Sequence, residues 1–189
     1  RTDKMELMID IETVSTRPDA AIMAIGACKF DISTGEIGET FYCAVDLDSC
    51  FRLGMVADGD TLKFWMSQDS DVTAKLFQEP RSIRTALEKL SLFAFVKDGV
   101  WSHASFDPVI LEFAYRSLAF YAPWNFRQIR DVRTLVWLGR QAGLSIPEKP
   151  DDAHYALADA VHQAKYCSVL YQQLVKGRSN AAQTIEGWT

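Results

Sequence analysis

The sequence predicts an α/β domain: a mixed sheet of about five strands with helices packed on both faces. Two observations carry this. Strand-like segments come first and in succession, and helical patterns then alternate with short strand patterns. The chain has 189 residues, 48% of them hydrophobic, which suits a single globular domain over residues 1–189 with a proper core. No internal repeat, low-complexity tract or linker divides it.

The elements follow in order. In LMIDIE, Leu7, Ile9 and Ile11 alternate with Met8, Asp10 and Glu12, the period of two of a strand. AIMAIGACKFD, Ala21 to Asp31, is a second strand, and ETFYCAVDL, Glu39 to Leu47, a third. The ISTGE turn between them predicts an antiparallel hairpin. Asp60 is placed to cap a short helix, TLKFWMSQ. Pro80 and Ser82 introduce a second, with Ile83, Leu87, Leu90 and Ala94 as its apolar stripe. After Gly99, VWSHAS reads as a short buried strand, and Phe106-Asp107-Pro108 starts the helix VILEFAYRSLAF. A strand near Asn125 to Ile129 leads into a helix from about Asp131, and the loop LSIPEKPDD precedes a last helix from about Ala153 to Val175.

Composition narrows the class. No apolar run approaches the roughly 18 residues that cross a bilayer, so no membrane partner is expected. RTDKMELM lacks the apolar segment of a secretory signal. Cys28, Cys43, Cys50 and Cys167 form no CxxC pair and fit no zinc spacing; they read as reduced, buried thiols of a cytoplasmic protein. His103, His154 and His162 are too scattered for a zinc cluster. The net charge of −5 argues mildly against nucleic acid, but not where bound cations supply the positive charge.

The carboxylates each have two readings. Asp10 and Glu12 lie two apart on a strand and share a face, with Thr13 just beyond. A solvated edge strand would explain them, yet Asp suits strands poorly and the apolar neighbours point to a central position. Two carboxylates held close there repel unless a cation or proton intervenes, and a divalent cation is the natural resolution. Asp107 before Pro108 reads by itself as an N-cap. Asp159 reads by itself as a surface charge, although Ala156, Ala158, Ala160 and Ala164 leave that helix slim enough to lie close against the sheet and bring Asp159 inward. His154 alone reads as a capping or surface residue, His103 as a strand-end residue and His162 as a helix-face residue.

Taken together, these segments resemble the DEDD 3′–5′ exonucleases. Asp10-Ile11-Glu12-Thr13 is similar to their first motif, HASFDPVIL (His103 to Leu111) to their second, and HYALAD (His154 to Asp159) to their third in its His-containing form. Order and separations match over nearly the whole chain. The IDIET start, the RDVRTL segment (Arg130 to Leu135) and the Trp-containing helix at Thr61 to Gln68 look most like a phage and bacterial branch of exoribonucleases and single-strand exodeoxyribonucleases.

The resemblance implies a ribonuclease-H-like fold with a central first strand and an antiparallel second. It implies that Asp10, Glu12, Asp107 and Asp159 hold two divalent metals, Mg²⁺ or Mn²⁺, as oxygen ligands favour. Such a pair clamps in-line displacement at phosphorus, with His154 taking the proton of the attacking water and a nucleoside 5′-monophosphate released. Two positions depart from the pattern. His103 stands where the family often has Asn, and Tyr155 stands at the spacing where a sister group uses Tyr. We take His154 as the base, because His-x-Ala-x-x-Asp is matched in full. The implied partner is single-stranded RNA or DNA, and homodimers occur among relatives. Phe64, Trp65, Trp101 and Phe106 are candidates for base stacking, each with a core role as its alternative. With Thr13, Trp65, His103 and Phe106 as substrate contacts, Arg127, Arg130 and Arg133 are placed either to approach phosphates or to form a solvated helix-start face. The rival readings are a non-catalytic nucleic-acid-binding module of the same fold and a small-molecule phosphodiesterase or phosphatase.

Overall fold

A computed structural model describes residues 5–96, 98–146 and 154–176. Five strands, β1 (Glu6–Thr13), β2 (Ile22–Phe30), β3 (Ile37–Ala44), β4 (Val100–Ser102) and β5 (Ile129–Asp131), form one sheet in the order β3-β2-β1-β4-β5. β2 is antiparallel to both β1 and β3, whereas β4 is parallel to β1 and to β5. β1 is therefore central, and every residue of it except Glu6 is buried.

The alternation in β1 divides the core. Leu7, Ile9 and Ile11 enter a large cluster built with α4 (Ile83–Phe93) and α5 (Asp107–Ser117). Met8 points the other way, into a smaller cluster with Cys28, Trp101 and the small inner residues Ala160, Ala164 and Cys167 of α7 (Ala156–Lys176). α6 (Val132–Gln141) adds Val132 to that side. Asp10 and Glu12 continue the Met8 face, so they lie under α7.

The hairpin forms where the turn residues predict it. Asp31 Oδ1 accepts from the Ser33 backbone N–H at 2.7 Å, and Gly35 takes the left-handed φ of +81° that closes the turn. Other boundaries differ from the sequence expectation. β3 stops at Ala44, because Asp46 leaves the sheet to cap α1 (Leu47–Phe51), a helix too short to carry a periodic signal. α2 (Gly59–Met66) is capped by Asp58, whose carboxylate accepts from Thr61 N–H at 2.8 Å; Asp60 sits in its first turn instead. α3 (Ser70–Leu76) follows without a side-chain cap. The fifth strand lies later than Asn125 to Ile129, because Asn125 Oδ1 accepts from Arg127 N–H at 3.0 Å and folds those residues into a turn. Trp101 is a core residue, 9% exposed, whose Nε1–H donates to Glu6. The expected last-helix start at Ala153, and Arg1–Lys4, fall outside the described residues.

One glycine sets how closely α7 approaches the sheet. Gly26 pairs with Asp10 across the β1–β2 ladder, and a Cβ on it would meet the Ala156 carbonyl carbon at 2.2 Å and the Leu157 nitrogen at 2.3 Å. Backbone rests on backbone, so α7 would have to move. Gly26→Ala is expected to cost about 1–3 kcal/mol or more in urea unfolding. Gly59→Ala, where a Cβ meets nothing within 4 Å, is expected to stay within about 0.5 kcal/mol.

Candidate active site

Three elements bring four acids to one place. β1 supplies Asp10 and Glu12, the first turn of α5 supplies Asp107, and the start of α7 supplies Asp159. Their exposures are 8%, 8%, 1% and 7%. Asp107 does not cap α5, since that helix has Phe106 at its N-cap position. The Asp107 carboxylate turns back to the sheet instead, where Oδ1 accepts from Ile11 N–H at 3.2 Å and Oδ2 from His103 N–H at 2.8 Å. Asp159 Oδ2 accepts from the His154 backbone N–H at 2.9 Å. That bond holds His154 with φ of +69°, a left-handed backbone that non-glycine residues seldom adopt.

The donors fall into two groups. Asp10, His103 and Asp107 each offer an atom within 4.8 Å of the others, and so do Glu12, His154 and Asp159. The His103 Nδ1 lies 3.7 Å from Asp107 Oδ2. Burial, followed by the charges of Asp107, Glu12 and Asp159, pushes the Asp10 carboxyl well above its usual range, against the opposing bond from Gln163. Burial also pushes Asp107 up to about 7, outweighing the bonds from His103 and Ile11 and the Arg133 guanidinium. A divalent cation reverses both effects, because carboxylates around it are held ionised. The donor set thus fits divalent cations.

All four acids line a cavity of about 670 Å³, together with His103, Phe106, Arg133, His154, His162 and Gln163. A second cavity of about 610 Å³ shares Ile11, Glu12, Thr16 and Phe106 with it, so the two form one cleft. Thr13, Phe64 and Trp65 line the second half. Trp65 is fixed there, its Nε1–H donating to the Thr13 carbonyl at 2.8 Å, while Phe64 is 41% exposed and meets the His154 ring edge-on at 5.2 Å. Tyr155 turns elsewhere, against Tyr42 at 4.6 Å, with the Lys75 ammonium over its ring. Of the three arginines, Arg133 reaches the cleft; Arg130 donates to the Arg127 carbonyl, and the Arg127 guanidinium lies over Phe126. Sequence reasoning missed Gln163, whose signal was its position four residues after Asp159, on the same inward face of α7.

The model of the 3'-5' exoribonuclease Rv2179c-like domain matches residues 5–171. The chain belongs to that family. This exonuclease domain also shares its ribonuclease-H-like fold with solved exonucleases. E. coli exonuclease I in complex with a dT13 oligonucleotide matches with a TM-score of 0.63 at 16% identity, over 93% of this chain and 43% of that one. The nuclease domain of 3'hExo, a DEDDh family member bound to rAMP, gives 0.58 at 16%, over 90% and 92%. Cell-death related nuclease 4 gives 0.61 at 12%, over 93% and 65%. This chain spans less than half the length of exonuclease I. No curated sequence matches it significantly.

The raised carboxyls give the exonuclease domain a pH signature when metal is removed. A carboxyl whose pKa is raised by folding binds more protons folded than unfolded, so stability falls as pH rises from the unfolded value near 4 through the folded one. In EDTA, the Asp107 contribution is therefore expected to decline between about pH 4 and pH 7, with the Asp10 contribution declining over a range that extends upward from the same start. Asp10→Asn should raise Tm in EDTA at pH 8 and leave it nearly unchanged at pH 4, as read by scanning calorimetry.

Proposed function

We propose that this domain removes nucleotides from the 3′ end of single-stranded nucleic acid, RNA in preference, using divalent cations held by Asp10, Glu12, Asp107 and Asp159. The observation that carries the reading is the cleft itself: four buried acids form one half, and an aromatic-walled cavity opens directly from it. The family description as an exoribonuclease domain supports RNA. Two acid pairs, Asp10 with Asp107 and Glu12 with Asp159, each with oxygens within 4.8 Å, support two cations, and carboxylate oxygens as ligands support Mg²⁺ or Mn²⁺. When bound, such cations neutralise the acids, polarise the scissile phosphate and acidify water.

The chain's own groups do the remaining work. His154 lines the cleft on the Glu12 and Asp159 side, and its imidazole takes the proton of the attacking water. Phe64 and Trp65, at right angles in edge contact with the same ring, limit how far it can swing. Phe106, Trp65 and Phe64 offer apolar faces on which a terminal base can stack. Among the described residues, Arg133 is the guanidinium that lines the cleft, and it fits a phosphate contact.

A 5′-labelled single-stranded RNA or DNA oligomer tests the proposal. A ladder shortening from the 3′ end in Mn²⁺ or Mg²⁺ is expected, faster on RNA, and absent with EDTA or with Asp107→Ala. Intact oligomers throughout, with folded protein, would overturn it, and release of phosphate from mononucleotides alone would favour a small-molecule phosphatase. His154→Ala is expected to lower kcat about 10²–10⁴-fold while leaving binding of the oligomer nearly intact. For Arg133→Ala, the slope of log affinity against log salt should fall by about 1, as for a lost phosphate contact.

A further inference from the structure

Gln163 is a polar side chain in an unusual position. It is 6% exposed, and its Nε2–H donates to Asp10 Oδ1 at 2.8 Å. With a cation bound, Asp10 is ionised and offers only acceptors, which suits the N–H end of the amide and would repel its oxygen. The other end of the amide, Oε1, is buried without a hydrogen-bond partner among the described residues. A buried acceptor left unmade costs free energy, so a donor belongs beside it. Gln163 lines the same cavity as Asp10, Asp107 and Asp159.

We propose that Gln163 is a positioning residue for the cation centre. Its Nε2–H holds the Asp10 carboxylate in one rotamer, and a cation held by the acids would bring with it the hydrating water that the unmet Oε1 lacks as a donor. This rests on the metal-centre reading above. Asp159 and Gln163 are four residues apart on α7, so one helix face supplies both an acid and the amide that orients a second acid. Because Gly26 lets α7 lie directly on β2 opposite Asp10, the amide reaches across without an intervening side chain. Residues that orient a metal ligand typically change metal affinity about 10–100-fold when removed.

The experiment is Mn²⁺ binding to the full chain, read from the free-ion electron paramagnetic resonance signal. Gln163→Met keeps the length and loses both polar atoms, and Gln163→Leu is a second variant should the first fail to fold. Wild-type protein is expected to bind Mn²⁺, and the Gln163 variant to bind it about 10–100-fold more weakly, with the Mn²⁺ requirement for RNA cleavage displaced by the same factor and KM for the oligomer unchanged. Gln172→Met breaks a comparable bond further along α7, to Ser168 Oγ at 3.0 Å, and should leave Mn²⁺ affinity alone. Wild-type affinity in a folded Gln163 variant would overturn this inference while leaving the metal centre standing. No binding by the wild type would overturn both.

Discussion

Four carboxylates on one buried floor repel each other, and the rest of the molecule is arranged around that repulsion. Water cannot solvate them fully, since none is more than 8% exposed. Backbone donors answer part of the charge: Ile11 and His103 donate to Asp107, and His154 donates to Asp159. Gln163 answers part of it at Asp10. The remainder keeps Asp10 and Asp107 prone to protonation without a cation. A site of this kind is poorly satisfied empty and well satisfied when divalent ions neutralise it.

The scaffold keeps the acids from relaxing apart. β1 lies between β2 and β4, buried on both faces, and Asp10 and Glu12 cannot move without breaking the ladder to β2, where they pair with Gly26 and Ala24. The Met8 face of β1 carries them under α7, and Gly26 allows that helix to rest on the sheet with no side chain between. Asp107 is tied by its hydrogen bond to the backbone of β1 itself. Geometry made by three elements thus converges through short, mostly backbone-anchored contacts, which is how a charged site remains ordered before its ligands arrive.

Much of this was legible in the sequence, because its signals are local. The period of two in β1 places Asp10 and Glu12 on one face, the alanines of α7 indicate close contact with the sheet, and the turn residues around Gly35 mark the hairpin. Where the reading differed, a single side chain usually decided the outcome without a periodic pattern. Asp46 and Asp58 each end one segment and begin a helix, and Asn125 folds a turn where a strand was expected. Asp107 followed by proline looks locally like a cap, and only the long-range approach of Ile11 shows that its carboxylate faces β1. Trp101 carried no local signal separating a stacking residue from a core one; its place is set by Glu6 and the second core cluster. Gln163 shares a helix face with Asp159, but its partner Asp10 lies 153 residues away, and the face alone does not show that contact.

The most direct test of the central claim is anomalous diffraction from crystals of the protein grown with Mn²⁺. Two anomalous peaks among Asp10, Glu12, Asp107 and Asp159 are expected, with the Gln163 amide directed at Asp10. An ordered acid cluster without a peak at saturating Mn²⁺, or peaks only at surface carboxylates elsewhere, would contradict the account.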